Sequence, residues 1–290
     1  MRSLLFVPAD SDRKLEKALQ SGADALILDL EDSIASPAKA QARLRARDFV
    51  KQARRLPERP GLFIRINALE SGLIDADLDT VMAAGPDAII LPKARNGADV
   101  QHLGAKLAVR EAELGLADGA TGILAIATET PASIFGLSTY AGASHRLQGL
   151  AWGAEDLSAA LGAEANRRAD GQLTGPYALA RDLTLIAARA AGVEPVDAIF
   201  ADFRDEAGLR AECEAARQDG FTCKLAIHPA QVPVINACFM PSKEAIAKAQ
   251  AIVSAFATGA GVVSVDGVMM ARPHLLLAQR ILARASGALR

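Results

Sequence analysis

The chain has 290 residues, 51% of them hydrophobic and 23% charged, which is enough to bury a sizeable core and excludes intrinsic disorder. Its 32 Lys and Arg against 34 Asp and Glu leave a formal charge of -2, without the basic excess of a nucleic-acid binder, so no DNA or RNA partner is expected. Cys213, Cys223 and Cys238 form no C-x-x-C pair, which points to a reducing compartment rather than a disulfide framework.

The first apolar run, Leu4 to Val7, stops at Pro8 and is too short for a signal-peptide core, and no run reaches membrane-spanning length. A cytoplasmic protein with no membrane partner is the expectation. Further apolar runs follow at Ala25 to Leu30, Leu62 to Ile66, Ala88 to Leu91, Gly122 to Ala127, Leu147 to Trp152, Val196 to Ala201 and Lys224 to Ile227. Between them lie stretches of helical spacing, among them Asp12 to Gln20, Ala38 to Arg54, Ala178 to Ala191 and Asp205 to Gln218. Continuous apolar strands imply burial on both faces, and intervening helices imply parallel crossovers. The pattern predicts the α/β class and a (β/α)8 TIM barrel over residues 1–232. An open doubly wound sheet is the rival, but its first turn is usually glycine-rich, whereas here it reads Val7-Pro8-Ala9-Asp10-Ser11. Residues 233–290 are a C-terminal helical extension, a lid or subunit-interface segment. Helices are predicted there over Lys243 to Ala257 and Pro273 to Ala285, joined by Gly259-Ala260-Gly261 and Val262 to Met270.

Reactive groups of such barrels gather where the strands end. Strand two ends in Asp29-Leu30-Glu31-Asp32, strand three carries Arg65 with Asn67 beyond it, and strand four leads to Pro92-Lys93. Strand five leads to Thr128-Glu129-Thr130, strand six to Gly153-Ala154-Glu155-Asp156, and strand eight to His228-Pro229. Carboxylates crowded on one rim repel unless a cation joins them, and hard oxygen ligands suit Mg²⁺. His102, His145, His228 and His274 lack zinc-ligand spacing. No G-x-S-x-G elbow, Walker loop or dinucleotide fingerprint is present.

Each residue has a plain structural reading beside the chemical one. Glu129 could favour a helix dipole, Asp156 could cap the helix through Leu157 to Leu161, and Arg65 could pair with Glu31 or Asp32. Strand alternation sends Asp29 and Glu31 one way and Leu30 and Asp32 the other, so the three acids cannot all reach one ion. Lys93 reads either as a cation lining the site or as a structural one, and His228 as a rim residue hydrogen-bonded in place. The basic run Arg43, Arg45, Arg47, Lys51, Arg54 and Arg55 reads as a solvated helix face.

Taken together, Arg2-Ser3-Leu4-Leu5-Phe6-Val7-Pro8, Leu28-Asp29-Leu30-Glu31-Asp32-Ser33, Arg65-Ile66-Asn67, Leu91-Pro92-Lys93, Glu129-Thr130-Pro131-Ala132, Gly153-Ala154-Glu155-Asp156-Leu157-Ser158 and Ala226-Ile227-His228-Pro229 resemble the citrate lyase β-subunit-like proteins. The likeness runs through nearly the whole chain. That wider group includes malyl-CoA and citramalyl-CoA lyases and the HpcH/HpaI aldolases.

The resemblance implies a Mg²⁺-dependent carbon–carbon lyase of retro-Claisen or aldol type. Its substrate would be a 3-hydroxyacyl-CoA or acyl-carrier thioester such as citryl-, malyl- or citramalyl-CoA, releasing a 2-oxo acid. It implies Glu129 and Asp156 as metal ligands and Arg65, Glu129 and Asp156 as catalytic residues. Arg65, Glu129, Asn67 and Lys93 would bind substrate, with Asp29, Glu31, Asp32 and Glu155 behind them. It also implies a homo-oligomer, a trimer or hexamer. Two alternatives stand: a CoA-independent 2-oxo-acid aldolase, and a catalytically weak metal-binding barrel serving as a subunit or acid-binding protein. Lyases of the group often read M-I-D-x-P in the tail, with that Asp reaching an adjoining active site, whereas this chain reads Met269-Met270-Ala271-Arg272-Pro273. Ala271 cannot transfer a proton, and the nearby carboxylate, Asp266, reads as a turn residue before Gly267. Slow or absent thioester cleavage follows.

Overall fold

The computed structural model describes residues 1–257 and 259–286. Eight parallel strands close into a barrel in chain order: β1 (Ser3–Pro8), β2 (Ala25–Asp29), β3 (Gly61–Arg65), β4 (Ala88–Leu91), β5 (Gly122–Ile126), β6 (Leu147–Ala151), β7 (Glu194–Asp197) and β8 (Cys223–Ala226). β8 pairs back onto β1. The helices between and after them are α1 (Asp12–Leu19), α2 (Lys39–Ala53), α3 (Ile74–Val81), α4 (Gly97–Glu113), α5 (Pro131–Gly136), α6 (Glu155–Leu161), α7 (Gly175–Ala191), α8 (Glu206–Asp219) and α9 (Gln231–Phe239). The chain thus adopts the α/β TIM-barrel fold that the alternation of runs predicts.

Strand alternation divides the buried residues between two layers. Leu4, Ile27, Phe63, Ile90, Leu124, Ile126, Val196 and Leu225 join small Ala25, Ala88 and Ala151 in a cluster made of strand residues, the filled barrel interior. Leu5, Leu26, Leu28, Ile64, Ile89, Leu91 and Leu150 belong to the second layer, packed with helix residues such as Leu15, Val50, Leu78, Leu103 and Leu209. With both faces covered, each strand reads as an unbroken apolar run.

The seventh strand departs from the sequence reading: it occupies Glu194–Asp197, not Val196 to Ala201. Glu194 and Pro195 hide its start, because proline is tolerated where a strand opens. Ile199 and Phe200 are apolar because they pack at the strand's exit, Ile199 on the interior cluster and Phe200 on the outer one. Asp197 and Lys224 are fully buried in the helix-facing layer. Lys224 Nζ donates to Asp197 Oδ2 at 2.6 Å and to Glu212 Oε1 at 2.8 Å, and Trp152 Nε1 donates to Asp197 Oδ1 at 2.7 Å. These bonds tie β7 and β8 to the end of β6.

Helix α9 crosses position 232, and its Val232, Val234, Ile235, Cys238 and Phe239 are part of the outer barrel core. Beyond it come α10 (Lys243–Phe256), β9 (Val262–Val265), β10 (Val268–Ala271) and α11 (Arg272–Ala285). The segment read only as a connector is therefore an antiparallel hairpin. Asp266 and Gly267 sit at φ 52° and 74°, the left-handed conformation a tight hairpin turn demands, which gives Asp266 the turn role. Ala249, Ile252, Val265, Met270 and Ala278 form a third apolar cluster, separate from both barrel cores among the described residues. No helix of those residues is long and apolar enough to cross a membrane.

Candidate active site

β2 and β3 pair in a register that sets Asp29 beside Arg65 where both strands end. Arg65 Nε and Nη2 each donate to one oxygen of Asp29 at 2.7 Å, a bidentate fork. Its remaining Nη1 lies 2.9 Å from Glu31 Oε2, and the guanidinium carbon stands 4.8 Å from the centre of the Phe6 ring. Asp29 also accepts the backbone N–H of Glu31 at 2.9 Å and of Ser33 at 3.2 Å, which turns the chain after β2 and aims Glu31 inward. Burial works against the charge of Arg65, but Asp29, Glu31 and Glu129 outweigh it and raise its pKa. Burial likewise pushes the Asp29 carboxyl up, yet Arg65 and the local N–H donors bring it below the ordinary range. For Glu31 burial wins: Arg65 and Lys93 offset it only in part, Asp32 adds to it, and the pKa is raised.

Lys93 follows β4 in the left-handed conformation, φ 52°, which a side-chain-bearing residue seldom adopts. Its backbone N–H donates to Glu129 Oε2 at 2.5 Å. Its ammonium lies 2.7 Å from Glu31 Oε1, 3.0 Å from Asp32 Oδ2 and 3.4 Å from Asp156 Oδ1. Burial disfavours this charge as well, but Glu31, Asp32 and Asp156 raise the pKa.

Glu129 leaves β5 just before Thr130, whose hydroxyl caps α5 by accepting the Ser133 N–H at 3.2 Å. It is 4% exposed. A β-carbon on Gly153, after β6, would meet Glu129 Cγ at 2.8 Å, so only glycine lets the two strand ends approach this closely. Burial pushes the Glu129 carboxyl up to about 8; Asp156 and Glu31 add to the rise, while the Lys93 N–H and Arg65 oppose it. Asp156 lies half-buried in the first turn of α6.

The structure therefore brings together Asp29, Glu31, Asp32, Arg65, Lys93, Glu129 and Asp156 from the ends of β2 to β6. Two expected members stand apart. The buried Asn67 side chain donates to Asp77 Oδ2 at 2.7 Å and accepts from Lys39 Nζ at 2.6 Å, so its amide is committed to bracing the loop. Exposed Glu155 accepts from Asn166 Nδ2 at 3.1 Å. His228 is a rim residue: Nδ1 accepts the Ala230 N–H at 3.2 Å, and the ring stacks on Phe203 with centroids 4.5 Å apart.

Three supports went unread in the sequence. Phe6 is hidden inside the first apolar run, and Gly153 lies within a quoted motif but carries no polar group. Lys39 opens α2 shortly after the β2 exit loop, and its Nζ folds back to donate to the carbonyls of Leu30 and Glu31, both at 2.8 Å. No local pattern marks such a contact.

Five carboxylates thus face two cations on one rim. Among the described residues no set of three or more His, Cys, Asp or Glu is gathered to hold a metal, and the resemblance implies two carboxylates, Glu129 and Asp156, as ligands. Buried Glu129, whose ionised form Asp156 disfavours, fits such a pair with Asp156. Two carboxylates completed by water suit Mg²⁺ and not Zn²⁺.

The family described as HpcH/HpaI aldolase/citrate lyase matches residues 2–229, the stretch that carries every residue of this site. The chain belongs to that family. One relative, the (3S)-malyl-CoA thioesterase of Cereibacter sphaeroides strain KD131, is 36% identical, covering 98% of this chain and 94% of its own. The citrate lyase subunit beta of Leuconostoc mesenteroides subsp. cremoris is 32% identical, covering 98% and 93%. Among solved structures, CitE from Mycobacterium tuberculosis in complex with magnesium, acetoacetate and coenzyme A is similar with a TM-score of 0.78 and 33% identity, over 98% of both chains. The same protein with magnesium and pyruvate gives 0.71 and 31%, over 97% of both. The resemblance to citrate lyase β-subunit-like proteins is thereby confirmed, and the HpcH/HpaI aldolase/citrate lyase family includes both a lyase subunit and a thioesterase by name.

Proposed function

We propose that the protein is a Mg²⁺-dependent carbon–carbon lyase that splits a 3-hydroxyacyl-CoA of the malyl, citramalyl or citryl type into a 2-oxo acid and an acyl-CoA, or joins them in reverse. The observation that carries this reading is the meeting of Glu129, Asp156, Lys93 and Arg65 where the barrel strands end. Relatives named for malyl-CoA and citrate, and a solved relative holding magnesium, acetoacetate and coenzyme A, support the substrate class.

Glu129 and Asp156 would hold Mg²⁺, which when bound polarises the oxygen that becomes the ketone of the 2-oxo acid. Arg65 presents a substrate carboxylate with its Nη1 side, because Asp29 occupies the Nε/Nη2 edge and fixes the guanidinium plane. Glu31, 2.9 Å from that Nη1 and with its pKa raised by burial, would accept the hydroxyl proton as the carbon–carbon bond breaks. The departing thioester enolate then needs a proton, and Ala271 offers none. A positioned acid is worth about 10²–10⁴-fold, so turnover by the natural chain is expected to be slow and to rise in Ala271→Asp.

Thioester hydrolysis is a second reading, favoured by the thioesterase relative. A panel of malyl-, citramalyl- and citryl-CoA with Mg²⁺ separates the two. Glyoxylate, pyruvate or oxaloacetate marks the lyase, and free thiol with an intact hydroxy acid marks the hydrolase. Inertness of both the natural chain and Ala271→Asp refutes both readings.

A further inference from the structure

We propose that Lys93 is a tethered counter-cation that competes with the divalent ion for the carboxylates of the site and thereby keeps the ion's affinity low. The inference rests on the assignment of Mg²⁺ to Glu129 and Asp156. One residue touches four of the acids: its N–H holds Glu129 at 2.5 Å, and its ammonium lies 2.7 Å from Glu31, 3.0 Å from Asp32 and 3.4 Å from Asp156. The left-handed backbone at φ 52° faces amide and ammonium to the acids together, a conformation glycine would adopt without strain.

The same charge that gathers the acids repels a second cation. An ammonium in contact with Asp156, on the residue that also holds Glu129, lies within a few ångströms of any ion those two carboxylates bind. Repulsion between single and double positive charges at that range exceeds the worth of one partly exposed ion pair. Removing the ammonium therefore tightens ion binding, although a contact organising Asp156 is lost. A merely structural lysine gives the opposite sign, because a loosened Asp156 binds the ion less well.

The test is calorimetric titration of Mg²⁺ into chelator-treated protein without substrate. Lys93→Met keeps the backbone N–H and is expected to lower the Kd for Mg²⁺ at least tenfold, with a correspondingly larger rise in melting temperature on adding the ion. Lys93→Gly relieves the backbone as well and should tighten binding alike; it supplies the measurement if the methionine variant does not fold. Equal or weaker affinity in the folded variants overturns this inference alone. If the natural chain binds no Mg²⁺, or Asp156→Asn binds it unchanged, the metal assignment falls and the inference falls with it.

Discussion

Glu129 couples the site to pH. Burial holds its carboxyl at about 8, against an ordinary 4.5. A carboxyl raised on folding contributes stability that is full below the ordinary value and is lost as pH climbs through the folded one. In chelator, Glu129→Gln should match the natural chain near pH 5 and become the more stable of the two towards pH 9, by a few kcal/mol. Saturating Mg²⁺ should reverse the order, since only the natural chain keeps the carboxylate proposed to hold the ion. Melting temperatures across pH, with and without the ion, check both statements, and parallel curves in chelator would show an ordinary carboxylate. Position at a strand end was enough to single out Glu129, Asp156, Arg65 and Lys93 in the sequence. Phe6 was not legible because it meets Arg65 across elements far apart in the chain, and Lys39 because nothing in its helix start shows that its ammonium folds back onto the carbonyls of Leu30 and Glu31.

The eight strands were readable because each is buried on both faces, and the exceptions have physical causes. β7 opens on Glu194 and Pro195, whose polarity and missing N–H mask a strand start. The β9–β10 hairpin is only four residues a side and half-exposed, too short for alternation to show, although Asp266-Gly267 is a strong turn signal. Within the barrel, the Lys224–Asp197 pair anchors three strand ends by burying opposite charges in an apolar layer. Lys224→Met leaves the Asp197 carboxylate without its ammonium and should cost about 3–5 kcal/mol in urea unfolding. Adding Asp197→Asn removes the stranded charge and should recover a substantial part. A loss within experimental error in the single variant would show that Arg181, 3.6 Å from Asp197, suffices as its partner.

For the whole molecule, the C-terminal unit has a small core and a large apolar surface. Val262, Val268, Leu276 and Leu277 are more than half exposed and Met269 is 71% exposed. Large apolar side chains exposed in such number on one small unit are normally covered, and a second copy of the chain is the occupant we propose, in the trimer or hexamer that the resemblance implies. Light scattering at micromolar concentration should report a multimer, and Met269→Glu combined with Leu277→Glu should reduce it to single chains with the barrel's near-ultraviolet dichroism intact. A natural chain that stays monomeric would refute this assembly. Nothing in one sequence could have decided it, since symmetry belongs to surfaces that form only between copies.

Among the described residues the third apolar cluster shares none with either barrel core. Descent can therefore act on the apolar clusters at different speeds, while α11 still meets the barrel through Arg284, which lies beside Arg217, Arg189 and Glu194. Position 271 shows what this permits. Its backbone N–H donates to His274 Nδ1 at 3.0 Å where α11 begins, a bond that does not depend on the side chain, at a cap position where aspartate is favoured. An alanine codon ending in a pyrimidine is a single base change from an aspartate codon, so a lineage could acquire or discard an acid there in a single step, with the carboxylate rim inherited intact.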